Sequence, residues 1–556
     1  MIKVREFTFF IKNTYPPERL QSYKLVYLLL AAIISGASLT LSFAPFRFWI
    51  FSYLSLVSLI WLFNNINHTN QNKKSNIINS GYLGFAWGLG FFGTHVSWIF
   101  VSIYKYGGTN WCLAAFITLA FIAFLALFPG INLILLTKFR LNNIKNWRFL
   151  IAFPSSWVLI EIFRGWILTG FPWGLLGYTQ LNSSLKYYAS FFGVYGVSFI
   201  VAFIAVLIAK FSEISHLNLT LSTNKYKYTN WFLSKLLIIL IILGFYIIAS
   251  WIKNTNQQFV NNCISKNKTV AIVQGNIAPN DKFLFQDVPT LINRITEVYW
   301  QPTVELIDSK NQPAIDLVIW PENSLPLSID YPEARDFLNH IDQFATKNNF
   351  GLLLGVPIEA SNNYFYNSVL GLGKAHGVYH KINLVPFGDY VPLENWFRGI
   401  INFFDLPMSS FIKGHNNQPG ITFKGNNILA TVCYDIVYAS QLRNRVLDGN
   451  PSVIVAVSED GWFGDSLGPH QHLDIARMRA IEVGRYILRA TTSGISGIID
   501  NYGNIINQTP MFKKMNLISQ YQDCFNQTIW NKIGNKPVII FLISCLIVAI
   551  VSRRDV

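Results

Sequence analysis

Long apolar stretches, concentrated in the first half of the chain, constrain its fold more than any other feature. A helix needs roughly 20 apolar residues to cross the ~30 Å hydrocarbon core of a bilayer. Runs near this length occur seven times before residue 253, and a shorter eighth lies near the end. The second and eighth runs also suit helices buried in a core. The pattern predicts membrane helices at about 25–43, 48–63, 81–103, 112–136, 149–168, 191–208, 235–251 and 538–551.

Basic residues in the loops give the predicted orientation of these helices. Lys and Arg accumulate on the cytoplasmic side of membrane proteins. With eight spans, one side holds Lys3, Arg5, Lys12, Arg19, Lys24, Lys73, Lys74, Lys138, Arg140, Lys145, Arg148, Lys210, Lys225, Lys227, Lys235, Arg553 and Arg554. The short loops opposite hold Arg47, Lys105 and Lys186. We therefore expect both termini in the cytoplasm and the long segment before the last span outside it.

The net charge of +15 is explained by these loops and does not indicate nucleic-acid binding. Only 13% of the residues are charged and 51% are hydrophobic, which also favours a membrane protein. We predict three parts: residues 1–252 with seven transmembrane helices, an extracytoplasmic domain at 253–536, and an eighth helix with a cytoplasmic tail at 537–556.

The extracytoplasmic segment alternates strand-like and helix-like patterns, which is typical of an α/β domain. Predicted strands are Val270–Gln274, Asp316–Trp320, Gly351–Val356, Ser368–Leu372, Ile428–Cys433 and Val453–Val457. Predicted helices are Val288–Ile307, Pro332–Thr346, Val437–Leu447 and Pro469–Val483.

Three reactive residues of this segment each follow a short apolar strand pattern: Glu322, Lys381 and Cys433. A catalytic thiol needs a base to take its proton and a nearby cation to favour the thiolate. Glu322 would be the base and Lys381 the cation, and the N–H of Tyr434 would join Lys381 in stabilising an oxyanion. Taken singly, each has a structural explanation, since free cysteines are usually buried and strand-end charges usually solvated.

The motifs around these residues resemble a known family. Trp320–Glu322, Lys381–Asp389 and Val432–Tyr434, in this order, resemble the Glu, Lys, Cys triad of the nitrilase, or carbon–nitrogen hydrolase, superfamily. Together with the membrane helices they resemble one branch, the apolipoprotein N-acyltransferase family. Further segments similar to that family are Ser42–Phe46, Gly170–Trp173, Phe404–Phe411 and Gly468–Glu482.

The resemblance implies a fold and a two-step reaction. The fold would be a multi-span α-helical membrane domain with an αββα nitrilase-like domain outside the cytoplasm. Cys433 would take an acyl chain from a membrane phospholipid as a thioester. The α-amino group of the diacylglyceryl-cysteine of an apolipoprotein would then accept that chain. The family also implies a monomer in the bacterial inner membrane with a periplasmic catalytic domain, and neither a cofactor nor a metal.

Several residues around the triad depart from the family pattern. Asp389 and Asp435 stand where glutamate is usual, so each carboxylate is one methylene shorter. Phe283 and His470 replace tryptophans, and Glu459 and Gly461 alter a motif that usually reads Asn, Asp, Ala. The resemblance implies supporting or substrate-binding roles for Asp389, Tyr434, Asp435, Trp462, Phe463 and Phe283. Trp462 and Phe463 line an acyl channel in this interpretation, or else fill the core.

Other candidates have simpler interpretations. His470 and His472 are two apart on a predicted helix and face different directions, which disfavours a metal site. Glu161 and Arg164 are three apart and can pair inside the membrane domain, for function or for structure. Cys263 and Cys524 lie at the two ends of the outer domain, where a disulfide is possible and two free thiols are favoured. Cys112 and Cys545 fall within spans as packing residues.

Two alternative functions are compatible with the residues. A membrane-tethered amidase of the nitrilase type would release ammonia from a small amide. A non-catalytic membrane scaffold would bind lipoproteins without modifying them. We expect the acyltransferase, because a soluble nitrilase has no use for membrane helices.

Overall fold

The computed structural model describes residues 17–69, 73–218, 225–259, 263–264, 266–279, 287–310, 313–361, 364–386, 388–390 and 411–552. Phe283 and residues 404–410 of the predicted motif therefore lie outside the described residues. Helices are α1 Pro17–Leu39, α2 Ile50–Thr69, α3 Lys73–His95, α4 Trp98–Val101, α5 Trp111–Lys138, α6 Trp147–Arg164, α7 Ala189–Asn218, α8 Lys225–Phe259, α9 Val288–Ile295, α10 Gln301–Asp308, α11 Pro332–Lys347, α12 Ala439–Gly449, α13 Gly468–Val483, α14 Ile529–Ile533 and α15 Lys536–Val551.

All eight predicted apolar runs are helical, but fewer helices are long and apolar enough to cross a membrane. Four described helical segments are long and apolar enough: Lys24–Ser42, Trp111–Lys138, Ser184–Glu213 and Phe232–Thr255. Helix α3 and the turns after it form a fifth if this pair, bent by 51°, counts as one span. The apolar parts of α2 and α15 are shorter. Helix α6 carries three charged residues, Arg148, Glu161 and Arg164.

Glycines allow the apolar helices to approach closely. A Cβ at Gly36 of α1 would lie 2.0 Å from the carbonyl oxygen of Trp87 in α3, and one at Gly90 would lie 2.0 Å from that of Ile33. Small residues at helix contacts are typical of membrane bundles, where packing stabilises association more than water exclusion does. The sequence of α1 and α3 thus fixes a close helix pair.

The rest of the chain forms a run of twelve hydrogen-bonded strands among the described residues, in the order β12-β1-β2-β3-β4-β5-β6-β7-β8-β9-β10-β11. The strands are β1 Lys268–Gln274, β2 Leu317–Ile319, β3 Gly351–Ser361, β4 Tyr364–Gly373, β5 Ala375–His380, β6 Ile421–Phe423, β7 Asn426–Val432, β8 Val453–Ser458, β9 Tyr486–Thr491, β10 Gly497–Ile499, β11 Ile505–Gln508 and β12 Met515–Tyr521. Strands β1–β2–β3 are parallel, as are β7–β8–β9.

The strands form two layers that pack face to face. Alternate residues such as Ile272 of β1 and Val455 of β8 belong to one core between the layers. Their neighbours face outward: Ala271 packs with helices α9–α11, and Ile454 packs in the core that includes α12 and α13. Because both faces are covered, the parallel strands read as continuous apolar runs. The predicted αββα architecture is confirmed.

Helix α13 joins this sandwich to the membrane helices. The side chain of Glu482 accepts a hydrogen bond from the backbone N–H of Val194 in α7, at 2.7 Å. Asp474 forms an ion pair with Arg47 at 2.9 Å. The outer face of the second strand layer, which contains β7, β8 and β9, therefore packs against the helical part of the chain.

Cys263 and Cys524 are joined by a disulfide, so the preference for two free thiols was wrong. Their separation of 261 residues hides the contact in the sequence. Strand β12 returns beside β1, pairing Lys268 with Tyr521, and this brings the two cysteines together just beyond the paired strands.

Candidate active site

The three predicted reactive residues follow strands of both layers. Glu322 comes just after β2, and Lys381 directly follows β5. Cys433 follows β7 in the second layer. The N–H of Trp320 continues the ladder by donating to the carbonyl oxygen of Leu353 at 2.8 Å, which fixes the entry to Glu322. The sequence patterns had placed all three at strand ends, and the structure confirms those positions.

Glu322 is buried and held on both carboxylate oxygens. Its Oε1 accepts from Asn367 Nδ2 at 2.7 Å, and its Oε2 accepts from the backbone N–H of Glu459 at 2.7 Å. Lys381 Nζ lies 3.6 Å from the same Oε1. The carboxylate therefore has a fixed orientation, as a general base requires.

Lys381 is 1% exposed and has a second, closer carboxylate partner. Its Nζ lies 2.7 Å from Asp389 Oδ2, which also accepts from the N–H of Val385 at 2.7 Å. The shorter aspartate thus reaches the lysine without a glutamate. Lys381 therefore contacts the carboxyl groups of both Glu322 and Asp389.

The charges of this cluster shift its titration. Burial raises the pKa of Glu322, although the charge of Lys381 opposes the shift. Burial alone would lower the pKa of Lys381, but Asp389 and Glu322 raise it overall, so the lysine stays charged. A glutamate with a raised pKa holds a proton more readily than an ordinary one, which suits a group that must accept a proton and return it.

Cys433 occupies a strained turn between β7 and a 3₁₀ turn, Cys433–Val437. Its φ is +48°, in the left-handed region that residues with a Cβ seldom adopt. Burial and the negative charge of Glu322 raise the pKa of the thiol, while Lys381 opposes them. The resting thiol is therefore protonated, and a base must remove its proton.

Asp435 connects this turn to the segment that carries Lys381. Its Oδ2 accepts from the N–H of Val432 at 3.2 Å and from the hydroxyl of Tyr379 at 2.8 Å. Its Oδ1 accepts from the backbone N–H and the side-chain Nδ2 of Asn383, at 2.7 and 3.1 Å. The second short carboxylate is thus fully engaged, and it fixes the thiol turn beside the lysine.

Tyr434 and Tyr438 connect the thiol turn to the helical part of the chain. The Tyr434 hydroxyl donates to the carbonyl oxygen of Gly170 at 3.4 Å, and the Tyr438 hydroxyl donates to that of Thr169 at 2.9 Å. Arg164 of α6 holds the same loop by donating to the carbonyl oxygens of Phe171 and Trp173 at 3.0 and 2.6 Å.

Similarity to known proteins agrees with this geometry. A family model described as the apolipoprotein N-acyltransferase N-terminal domain matches residues 35–207, and one described as carbon–nitrogen hydrolase matches residues 269–522. An apolipoprotein N-acyltransferase of Photobacterium profundum is 32% identical over 538 residues, 95% of either chain. One of Vibrio parahaemolyticus is 33% identical over 531 residues, 94% of this chain and 96% of the relative.

The chain belongs to the apolipoprotein N-acyltransferase family.

Among solved structures, an amidase from Nesterenkonia sp. is 16% identical and covers 48% of this chain and 94% of its own, with a TM-score of 0.32.

Two aromatic residues of the family pattern, Trp462 and Phe463, lie between the strand layers and the membrane helices. The carbonyl oxygen of Trp462 accepts from the Ser102 hydroxyl at 2.8 Å. Phe463 packs edge-on against Trp98, with ring centroids 4.6 Å apart. Both therefore contact the bent segment after α3, and their predicted place along an acyl channel stays a prediction.

Glu161 and Arg164 each bind the backbone of the loop after α6. Glu161 Oε1 accepts from the N–H of Leu176 at 2.9 Å, while Arg164 donates to Phe171 and Trp173. Within the described residues no group of His, Cys, Asp and Glu side chains has an arrangement that could hold a metal ion.

Sequence reasoning missed several residues that hold the active site of this family member. Asn367 and the N–H of Glu459 bind Glu322, and Asn383 with Tyr379 binds Asp435. Asn367 and Tyr379 have no sequence signal, because asparagines and tyrosines on strands are common. Asn383 lies within the Lys381–Asp389 motif and Glu459 departs from the family pattern, but neither position indicates which group it binds. His472, for which the sequence disfavours a metal site, is buried under the thiol turn, and its Nε2 lies 3.3 Å from the carbonyl oxygen of Cys433.

Proposed function

We propose that this protein transfers an acyl chain from a membrane phospholipid to the α-amino group of the N-terminal diacylglyceryl-cysteine of apolipoproteins. The observation that carries this proposal is that Glu322, Lys381 and Cys433 lie in one site. The thiol turn of this site contacts the apolar helical part of the chain. A lipid donor and a lipid-anchored acceptor would both approach from the bilayer surface. The relatives' name agrees with this reaction.

The first step forms a thioester. Glu322 accepts the proton of the Cys433 thiol, and the sulfur attacks the ester carbonyl carbon of the phospholipid. Charged Lys381 and the N–H of Tyr434, in the first turn after Cys433, stabilise the oxyanion. The C–O bond to the glycerol then breaks, and Glu322 returns the proton to the leaving oxygen. A lysophospholipid departs.

The second step uses the same groups in reverse. The acceptor amine attacks the thioester carbonyl carbon, and Glu322 takes a proton from the nitrogen. Collapse of the tetrahedral intermediate breaks the C–S bond, the Cys433 sulfur recovers its proton, and an amide remains on the lipoprotein. Neither step needs a cofactor, because the acyl group passes from an ester through a thioester to an amide without a change of oxidation state.

We also propose the topology predicted by the basic loops. Residues 1–252 would contribute seven spans, 253–536 the periplasmic catalytic domain, and 537–556 the eighth span, with both termini cytoplasmic in the bacterial inner membrane. The Cys263–Cys524 disulfide supports this orientation, since disulfides persist in oxidising compartments such as the periplasm. The protein would act as a monomer, because one chain holds the whole triad.

Complementation tests the proposed function. In cells depleted of their own N-acyltransferase, the wild-type protein should restore growth, and Cys433→Ser should not. Cys545→Ser, which changes a free cysteine in α15, is the matched control and should restore growth. Rescue by Cys433→Ser would contradict the proposal. Ammonia released from small amides, without rescue of growth, would indicate an amidase. Rescue of growth with neither acyl transfer nor ammonia release would indicate a scaffold.

A further inference from the structure

A chain of buried polar side chains lies beneath the thiol turn and takes no part in the reaction steps above. His472 of α13 is 1% exposed, and its Nε2 lies 3.3 Å from the carbonyl oxygen of Cys433. Its Nδ1 lies 2.9 Å from Asp460 Oδ1 and 3.0 Å from Arg489 Nη2. Arg489 Nη2 is also 2.5 Å from Asp460 Oδ2.

The partners of His472 determine where its proton lies. A carbonyl oxygen only accepts hydrogen bonds, so the contact with Cys433 requires a proton on Nε2. In the neutral ring, Nδ1 then accepts from Arg489, while Asp460 Oδ1 lies 2.9 Å from the same lone pair. In the protonated ring, Nδ1 donates to Asp460. Both forms keep the donor that faces Cys433, whereas the other neutral tautomer would set a lone pair against the carbonyl oxygen.

Asp460 is held in place for this role. The Ser458 hydroxyl donates to its Oδ1 at 2.6 Å, and Arg489 binds its Oδ2. Burial alone would raise the pKa of Asp460, but Arg489 and His472 lower it overall, so Asp460 is a carboxylate. A fixed carboxylate and a fixed guanidinium orient the imidazole ring, much as outer partners orient functional histidines elsewhere.

The backbone that His472 contacts is the one that needs support. Cys433 has a φ of +48°, and residues in this region persist only when their surroundings hold them there. Asp435 holds the Val432 side of the turn. His472 contacts its carbonyl oxygen from α13, beside the 3₁₀ turn Cys433–Val437 that begins there.

We propose that His472 is a positioning residue for the nucleophile: its Nε2–H holds the carbonyl group of Cys433 and so keeps the sulfur aimed at Glu322 and Lys381. Asp460 and Arg489 act through it by fixing the ring. The inference rests on the proposed function for its meaning, but the reactivity of the Cys433 thiol tests it without any lipid substrate.

Glutamine and asparagine at position 472 form a matched pair. The amide nitrogen of glutamine occupies the place of Nε2, whereas that of asparagine occupies the place of Nδ1 and does not reach Cys433. Both variants are polar and smaller than histidine. They are made in the full-length protein carrying Cys112→Ser and Cys545→Ser, which leaves Cys433 as the free thiol because Cys263 and Cys524 are bonded.

The measurement is the rate at which iodoacetamide alkylates Cys433, followed by mass spectrometry. We expect H472Q to react at close to the parent rate, and H472N to react about tenfold or more slowly, because a misplaced reacting atom loses rate steeply. Equal rates for both variants, fast or slow, would overturn the proposal. Acylation of Cys433 by phospholipid is measured in parallel. If the parent protein is not acylated but the alkylation rates of H472Q and H472N differ as expected, the proposed function alone is refuted.

A second measurement reads the protonation of the unmodified His472 side chain in the parent protein. Solid-state NMR of the parent protein labelled with ¹⁵N-histidine, with the His472 signal assigned by its absence in H472Q, reports which ring nitrogens carry protons. We expect Nε2 to be protonated at neutral pH. An unprotonated Nε2 would overturn the proposal.

Discussion

Lys381 has two carboxylate partners, and the closer one is Asp389 rather than Glu322. We predict that Asp389→Asn slows acylation of Cys433 about 10- to 100-fold, because the ammonium loses the group that holds it in place. The measurement is transfer of a fluorescent acyl chain from phospholipid to the purified enzyme. Glu297→Gln is the matched control. It removes an exposed ion pair with Arg294 and should leave the rate unchanged, since such pairs contribute little.

The pKa of Glu322 predicts the pH dependence of the first step. Only the ionised carboxylate accepts the thiol proton, and burial raises the pKa of this group. The rate of Cys433 acylation should therefore fall on acidification, with an apparent pKa above the ordinary glutamate value of about 4.3. The pH–rate profile from pH 4 to 8 measures it, within the range where the protein stays folded. An apparent pKa at or below the ordinary glutamate value would contradict the role of Glu322 as the base.

At the residue scale the sequence predicts the triad of Glu322, Lys381 and Cys433, and the structure places each of these residues after a strand. The sequence left open how Asp389 and Asp435 compensate for a missing methylene. The answer depends on backbone positions: the N–H groups of Val385 and Asn383 approach these carboxylates closely enough for the shorter side chain to bind. Distances of this kind are set by the packing of both layers and have no local signature.

Among the elements, α13 contributes most to the contact between the strand sandwich and the membrane helices. Gln471 accepts hydrogen bonds from two indoles on one oxygen, from Trp173 at 2.6 Å and Trp98 at 3.1 Å. Its Nε2 donates to the carbonyl oxygen of His95 at 3.0 Å. One side chain therefore satisfies buried donors from two membrane-side segments.

We predict that Gln471→Leu lowers the stability of the protein by about 2 kcal/mol or more, because buried indole N–H groups left unpaired cost roughly 1–3 kcal/mol each. Thermal unfolding in detergent measures the loss. Gln520→Leu is the control: it removes a hydrogen bond with Asn267 at the surface and should shift stability by less than about 0.5 kcal/mol. Equal effects of the two substitutions would show that the Gln471 network does not hold the interface.

The predicted strands of the catalytic segment share a continuous apolar pattern, whereas its predicted helices have apolar residues on one face. Strands β6, β9, β10, β11 and β12 were missed. β6 and β10 are three residues long, and Arg489 interrupts the apolar run of β9. β12 mixes polar and apolar residues at the sheet end, and β11 is mostly exposed. By length and apolarity four described helical segments, or five with the bent pair after α3, are long enough to span a membrane, so the eight predicted spans stay a prediction.

For the whole molecule, the disulfide closes nearly the entire catalytic segment. Cys263 and Cys524 are 261 residues apart, so the bond restricts the unfolded chain strongly. We predict that reduction, or Cys524→Ser, destabilises the protein by about 3–5 kcal/mol on the chain-entropy account. Melting with and without a reductant measures the effect. Cys545→Ser should melt like the parent in both conditions, and a parent unaffected by reductant would contradict the prediction.

The central proposal for the whole molecule is that Cys433 carries an acyl chain between two lipids. The most direct test incubates the purified protein with phospholipid bearing isotope-labelled acyl chains, without acceptor, and analyses its peptides by mass spectrometry. We predict a hydroxylamine-sensitive acyl group on the peptide that contains Cys433, present in Cys545→Ser and absent in Cys433→Ala. Label on a different residue, or label that persists in Cys433→Ala, would contradict the account.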